Sequence, residues 1–433
     1  MIRTNPGRTS AILFGMTERE FAIDVVRTLQ KAGHTALWAG GCVRDELLGL
    51  PPHDYDVATS ARPEQLRPLF RKRNEIGAHF GVVQVIGPKS DAGEWLTIEV
   101  ATFRSDGTYT DGRRPDTVRY SSPEEDAARR DFTVNGMFFD PLAGELIDHV
   151  GGRADLDAKV LRAIGDPAAR FTEDKLRILR AARMATRFAL EIEPATHAAA
   201  RAMATEIRVV SAERIAEELR KLLVHPNRAR GLELLRTLAL VPPLLPEVAT
   251  FGTWPYAVGA VEHLPTASSF PLAFAAVLHR VGSTTAASVA ERLKLSNVEA
   301  ERLCWLVEKQ NVLADAPTMR ASVLKPLLVH PGIGELLALH RALAEAGGSG
   351  VAHVEFCERV LRDTPRAELN PAPVLTGEDL IARGLKPGPA FKRLLDAVRE
   401  AQLDGAVTTK EQAHALVQRL LSEPPASPGT PRV

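Results

Sequence analysis

The chain has 433 residues, 45% of them hydrophobic and 25% charged, with 54 Lys and Arg against 54 Asp and Glu. That length exceeds one compact core and implies two to four globular domains, and the zero net charge means that any surface for a polyanion must be a local patch. Three widely spaced cysteines (Cys42, Cys304, Cys357) argue against a disulfide framework or zinc cluster, no apolar run reaches membrane length and no signal-peptide core opens the chain, so a cytoplasmic enzyme is expected.

In chain order, residues 17–33 have the periodicity of an amphipathic helix, and Thr35–Ala39 reads as a short buried strand ending at Gly40-Gly41. Val43–Leu50 is predicted helical and Tyr55–Thr59 extended. A helix over Arg62–Arg73 is expected, capped by Ser60 with Pro63 in its first turn. Gly81–Ile86 and Trp95–Phe103 are rich in strand formers, whereas Ser105–Asp116 is polar, carries two glycines and a proline, and reads as a mobile loop. Asp126–Phe138 is predicted helical, and Glu145–Asp148 with Gly151-Gly152 a strand and turn. Beyond residue 154 strand signals nearly vanish and amphipathic helices run to about residue 420, broken at Val241–Pro246, Pro331–Ile333, Gly347–Gly350 and Asn370–Pro373. The Pro- and Ser-rich Glu423–Val433 is expected to be disordered, and no internal repeat is evident. The plan is an α/β head followed by an all-α arm.

Three constellations carry chemistry. Gly40-Gly41 opens a short helix bearing Arg44 and Asp45, so its backbone N–H groups can meet phosphate oxygens. Asp54 and Asp56, two residues apart in a strand, point to one face and can converge on a hard cation such as Mg²⁺; a solvated turn is the plainer reading of Asp-x-Asp. Glu99 alternates away from Leu96, Ile98 and Val100, which suits either a third carboxylate for two Mg²⁺ ions or an ordinary solvent-facing glutamate. In the second constellation, Arg129–Asn135, Arg130 suits a triphosphate, with Asp131 and Asn135 on one helical face near the sugar; the alternative is a surface helix with pairs such as Glu125–Arg129.

The third is Glu173–Arg183. At 100° per residue Arg177, Arg180, Arg183 and Arg187 share an arc of roughly 120°. No acidic residues interleave them, so their repulsion points to an anionic ligand. Asp174, one turn before Arg177, can accept from an exocyclic amino group while Arg177 donates to ring acceptors, a pairing that cytosine and adenine fit.

The ordered set GGCVRDELLG, DYDVAT, RRDFTVNG, RFTEDKLRILRAAR and SAERIAEELRKLL resembles the class II tRNA nucleotidyltransferases, the CCA-adding enzymes and the related bacterial poly(A) polymerases, over about residues 35–225. The resemblance implies a head of polymerase-β-like nucleotidyltransferase fold (1–152), a neck of nucleotide-selecting helices (153–225), a helical body (226–345), a tRNA-binding tail (346–422) and the disordered end (423–433). It implies that Asp54 and Asp56 bind Mg²⁺, that Gly41, Arg44 and Arg130 contact the incoming nucleotide, that Asp174 and Arg177 are the protein template choosing CTP or ATP, and that Arg180 and Arg183 add contacts. The apolar stripe Ile215, Leu219, Leu222 and Leu223 reads as packing.

Lys175 stands where the family usually has Pro. The 105–116 segment matches the loop associated with the switch from C to A addition, and Leu375–Gly405 resembles a CCA-adding tail. Leu272–Gly282 resembles the metal-binding helix of HD phosphohydrolases with Arg280 in place of the aspartate beside His279, so a degenerate domain without phosphatase activity is expected. Lys386, Lys392, Arg393 and Arg399 suit either tRNA phosphates or a solvated face. The expected activity is template-independent addition of CCA to tRNA 3′ ends; the alternatives are A-only or poly(A) addition, a silent RNA-binding protein and a glycosyltransferase.

Overall fold

The computed structural model describes residues 16–75, 81–106, 118–249 and 253–422. They form two compact units, one of residues up to 222 with 230–244, the other of 223–229 with 245 onward.

The first unit begins with a capping box: Thr17 accepts the Glu20 N–H, and the Glu20 carboxylate returns to the Thr17 N–H. This starts α1 (Glu18–Lys31), whose Phe21, Ala22, Val25, Val26 and Leu29 are buried. Next come β1 (Ala36–Ala39), α2 (Gly41–Leu47), β2 (Asp56–Thr59), α3 (Pro63–Leu66), β3 (Arg73–Asn74), β4 (Val82–Lys89) and β5 (Trp95–Thr102). A hairpin of β6 (Arg104–Asp106) and β7 (Val118–Tyr120) precedes α4 (Pro123–Ala128), a 3₁₀ turn at Thr133–Asn135, and the antiparallel β8 (Phe138–Asp140) and β9 (Glu145–Ile147). Seven strands make one sheet in the order β3-β4-β5-β2-β1-β8-β9, in which β2 and β5 run parallel and pair Asp56 with Glu99. Helix α1 contacts β1, β2 and β5. On the sheet's other face, Leu37, Ala39, Ala58, Phe103, Ala127 and Phe138 form a second apolar cluster.

Beyond the sheet lie α5 (Gly152–Asp157), β10 (Val160–Leu161), α6 (Pro167–Glu173), α7 (Leu176–Phe188), β11 (Glu191–Ile192), α8 (Pro194–Ala202) and α9 (Ala212–Leu223). The α/β head followed by a mainly helical arm is as expected, although β10 and β11 form a two-stranded parallel ladder inside the stretch expected to be helical.

Two expected helices differ. The Arg62–Arg73 helix shrinks to α3, because Arg62 rather than Ser60 is its cap and because Arg73-Asn74 is drawn into an antiparallel ladder with β4. The Ser60 hydroxyl instead accepts the Thr35 N–H at 2.9 Å, tying the ends of β1 and β2. The Asp126–Phe138 helix is replaced by α4, which Ser122 caps and Pro123 opens, and which stops at Arg129. Phe132 is then extended and bridges to Ala163, while Thr133 donates to the Arg162 carbonyl, so tertiary pairing takes over the chain there. Of the expected loop Ser105–Asp116, Ser105 and Asp106 belong instead to β6, paired with β7, while 107–116, like Glu423–Val433, lies outside the described residues.

The second unit is a succession of helices from Trp254–Glu262 to Lys410–Ser422. Phe270–Leu278 is buried nearly throughout and packs against the Trp254–Glu262 and Asn297–Lys309 helices. A separate apolar cluster of Leu375, Leu380, Leu394, Val398, Val407, Ala413 and Val417 holds the last helices together. Among the described residues no single helix is long and apolar enough to cross a membrane.

Candidate active site

The site begins where β1 turns into α2. Gly40 sits at φ 73°, a backbone that demands glycine, and a Cβ there would stand 2.7 Å from a terminal nitrogen of Arg130 and displace it. Its N–H donates to the Met137 carbonyl at 3.1 Å. One turn on, Arg44 is buried, donates to Asp45 Oδ1 from Nε and Nη2 at 2.8 and 2.6 Å and to the Asn135 side-chain oxygen, and stacks 4.0 Å over the Phe188 ring. Burial pulls the Arg44 pKa down and Asp45 opposes it; the guanidinium remains charged. Cys42 donates to the Ala39 carbonyl, and burial pushes its thiol up to about 12, so it is a packing residue.

The segment between α4 and β8 is a frame of carboxylates and guanidiniums. Asp126, which sequence reasoning passed over, is buried and receives Arg129 on Oδ1 at 2.7 and 2.9 Å and Arg130 on Oδ2 at 3.0 and 3.2 Å. The expected Glu125–Arg129 pair is replaced by this one, and Glu125 faces Arg119. Asp131 and Asn135 do meet, through a sharp turn rather than along a helix: Asn135 Nδ2 donates to Asp131 Oδ1 at 3.0 Å. Burial alone would raise Asp131, but the Arg180 guanidinium, Asn135 and Arg177 outweigh it and hold the carboxyl well below the usual range.

The arginine stripe of α7 faces the same space, but each of its members is paired, three of them with distant residues. Arg177 binds Glu173 at 2.6 Å and the Arg129 carbonyl at 3.1 Å, Arg180 binds Asp131 at 2.7 Å, Arg183 binds the buried Glu218, and Arg187 reaches Asp45 at 3.5 Å. The inference from unrelieved repulsion is therefore corrected: partners come from α2, the turn before β8, the end of α6 and α9. Asp174 breaks α6 from α7 in an extended conformation (φ −147°, ψ 105°). It accepts the Leu176 N–H at 3.0 Å and both terminal nitrogens of Arg214 at 2.6 and 3.2 Å. Helix α9 was read as packing alone; Ile215, Leu219 and Leu222 are buried, yet the helix also contributes Arg214, Glu218 and Lys221. Its three- and four-residue spacing of polar side chains was the available signal.

At the mouth stand Asp54 and Asp56. Burial, then the charges of Asp54 and Glu99, push the Asp56 carboxyl up to about 7, with Arg130 opposing. Glu99 neighbours Asp56 across the β2–β5 ladder but does not line the cavity. Among the described residues no three His, Cys, Asp or Glu side chains converge on one metal position. Two aspartates on one face, with the Asp56 carboxyl held back from ionising by its surroundings, suit a hard divalent ion that takes its remaining ligands from phosphate and water.

These parts enclose one cavity of about 580 Å³. Gly40, Gly41, Arg44, Asp45, Asp54, Asp56, Arg130, Asp131, Asn135, Asp174, Arg177, Arg180 and Arg183 all line it, joined by His53, Arg129, Met184, Arg187 and Lys221. Eight Arg and Lys side chains against five aspartates give an electropositive pocket in a neutral chain.

In the second unit His279 Nδ1 lies 2.8 Å from the Ala276 carbonyl, and the Arg280 guanidinium stacks 3.5 Å over Tyr256. Of the tail cations, Arg399 is engaged by Pro371, Asn370 and Gln402, and Lys392 by Asp396.

The poly(A) polymerase head-domain family model matches residues 36–162, and one described as the probable RNA- and SrmB-binding site of polymerase A matches 189–251. Fold and cavity together define a nucleotidyltransferase with a polymerase-type head. The CCA-adding enzyme of Streptococcus mutans is 33% identical over 401 residues, covering 92% of this chain and 96% of its own, and that of Geobacillus stearothermophilus is 32% identical, covering 90% and 94%. The solved structure of the Bacillus stearothermophilus CCA-adding enzyme in complex with CTP superimposes with a TM-score of 0.76 at 28% identity, covering 94% of this chain and 98% of that one. The chain belongs to the family of CCA-adding enzymes.

Proposed function

We propose that this protein adds C, C and A to tRNA 3′ ends from CTP and ATP, in the cytoplasm, with the nucleotide chosen by protein side chains. The observation that carries the reading is a single cavity in which the Asp54–Asp56 pair shares walls with Asp174, Arg177 and the arginines of α7. The 3′-hydroxyl of the RNA gives up its proton to water as its oxygen bonds to the α-phosphorus, the bond to the β-phosphate bridge breaks, and pyrophosphate leaves. Arg44 and Arg130, fixed by Asp45 and Asp126, present donors to the triphosphate; the pre-set geometry spares reorganisation during transfer. Asn135 and Asp131 are aligned for the sugar. Asp174 and Arg177 read the base edge, Asp accepting from the exocyclic amine of cytosine or adenine and Arg donating to ring acceptors. Asp54 and Asp56 would hold Mg²⁺, with Glu99 close enough in register to modulate them. When bound there, Mg²⁺ supplies charge neutralisation for the attacking and leaving oxygens. We assign residues up to 152 to the head, 153–225 to the neck, 226–345 to the body and 346–422 to the tail that grips tRNA.

The test is incubation with tRNA lacking three, two or one of its terminal nucleotides, with labelled CTP or ATP and Mg²⁺. Ordered C, C, A addition that stops at A supports the proposal. Long A tails on arbitrary RNA, or no incorporation, would overturn it.

A further inference from the structure

Among the described residues the catalytic face of the sheet is only partly covered along β5. Along β5, Leu96, Ile98 and Val100 are buried while Trp95, Thr97 and Glu99 are exposed, so Trp95 stands on the same face as Glu99 and, through the β2–β5 register, Asp56. Four residues of strand separate Trp95 from Glu99, roughly 13 Å. Across the ladder Glu99 faces Gln84, whose side chain accepts from Asn74 at 3.0 Å, and Trp95 faces Lys89. A polar row therefore leads from the carboxylates toward the β3 edge, and two pleats along the strand lies a large aromatic.

Trp95 is 51% exposed. The ammonium of Lys72 stands 4.5 Å from its ring centroid and that of Lys89 5.4 Å. An exposed indole framed by cations is the arrangement that holds single-stranded nucleic acid: the ring face stacks a base of any identity and the cations meet the adjoining phosphates. The nucleotide cavity lies to one side of Asp54 and Asp56, bounded by α2 and α7. An attacking hydroxyl must approach the α-phosphorus opposite the departing pyrophosphate, and among the described residues the exposed row of β5 is a face open to the strand that carries it.

We propose that Trp95, with Lys72 and Lys89, is a stacking station for the 3′-terminal single strand of the RNA acceptor, set on the open sheet face beside the carboxylates. This rests on the nucleotidyl-transfer reading and adds a residue set for its RNA substrate. It predicts a substrate-specific defect. Trp95→Ala should raise the KM for tRNA lacking its terminal nucleotides about fivefold to a hundredfold, while the KM for CTP changes less than twofold. Trp95→Phe should recover most of the loss, and Lys72→Ala with Lys89→Ala should weaken binding and flatten its salt dependence.

A second readout needs no chemistry: titrating the full-length protein with a short single-stranded RNA ending in a 3′-hydroxyl should quench indole fluorescence, and Trp95→Phe should remove most of that quench although Trp38, Trp254 and Trp305 remain. An unchanged RNA KM in Trp95→Ala, or a quench retained in Trp95→Phe, would refute the station. Wild-type protein that quenches with RNA but incorporates no nucleotide would refute the transfer reading and leave the station standing.

Discussion

Arg214 and Asp174 meet through two contacts, at 2.6 and 3.2 Å, so that α9 holds the extended residue separating α6 from α7. A carboxylate that is to read a base edge must be aimed, and Asp174, off the regular helix, has no helical geometry to aim it. The Leu176 N–H and Arg214 do so instead. Arg214→Ala should reduce discrimination of CTP and ATP against UTP and GTP about tenfold, since a well-placed bidentate contact is worth about 1–3 kcal/mol of discrimination. Arg214→Lys should fall between, because an ammonium cannot reproduce the two-point fork. Ratios of kcat/KM for the four nucleotides check this; unchanged ratios in Arg214→Ala would show that Asp174 needs no such support.

The raised Asp56 carboxyl gives a pH dependence of definite sign. Its folded pKa of about 7 lies above the 3.8 of a free aspartate, so the folded chain binds this proton more tightly than the unfolded chain. The metal-free protein should therefore lose stability as pH rises from about 4 through 7, and Asp56→Asn should be the more stable form at pH 8. A cation must displace that proton, so the Mg²⁺ requirement should be about tenfold higher at pH 6 than at pH 8. The measurement is the Mg²⁺ concentration for half-maximal nucleotide protection against thermal unfolding at the two pH values. A flat profile would mean that Asp56 is ionised throughout.

The parts of the site visible in the sequence are those set by local spacing. Gly40, Gly41, Arg44, Asp54 and Asp56 lie within one short stretch running from the end of β1 through α2 to the start of β2, and the α7 stripe obeys a simple helical period, so both could be read without a fold. Asp126, Arg214 and Glu218 could not, because each earns its role by pairing. Asp126 looked like one acid in an acidic run until burial singled it out. Arg214 and Glu218 meet partners 40 and 35 residues away, and helical periodicity registers only that they lie on a polar face. The segment 126–138 misled for the same reason: its local pattern suits a helix, but Phe132 and Thr133 satisfy their backbones against Ala163 and Arg162.

Gly40 tests the cradle itself. Its φ of 73° disfavours any other residue, and a Cβ would press on the Arg130 guanidinium at 2.7 Å. Gly40→Ala should destabilise the first unit by about 1–3 kcal/mol and raise the KM for both CTP and ATP, because Arg130 must leave its place beside Asp126. Arg130→Ala should show the KM effect with little of the stability loss, and the double variant should add less than the sum. Equilibrium denaturation and steady-state kinetics on the three proteins measure this; full additivity would mean that the two residues do not act on one another.

The second unit has its own titrating group. His340 is buried, its Nε2 lies 3.1 Å from the Lys309 carbonyl, and the His353 ring meets it edge-on at 5.4 Å. The carbonyl can only accept, so Nε2 carries the proton of a neutral ring. Burial pushes its pKa down to about 4 from 6.5, with the Lys309 bond opposing and His353 reinforcing the shift. Here the unfolded chain binds the proton more tightly, so the contribution is full above pH 6.5 and disappears as pH falls toward 4, at a cost of up to about 3 kcal/mol. His340→Gln keeps a donor for Lys309 and removes the titration. Its stability relative to wild type should therefore improve steadily from pH 7 to pH 4.5 in urea denaturation; a pH-independent difference would show that the folded imidazole titrates as it does in the unfolded chain.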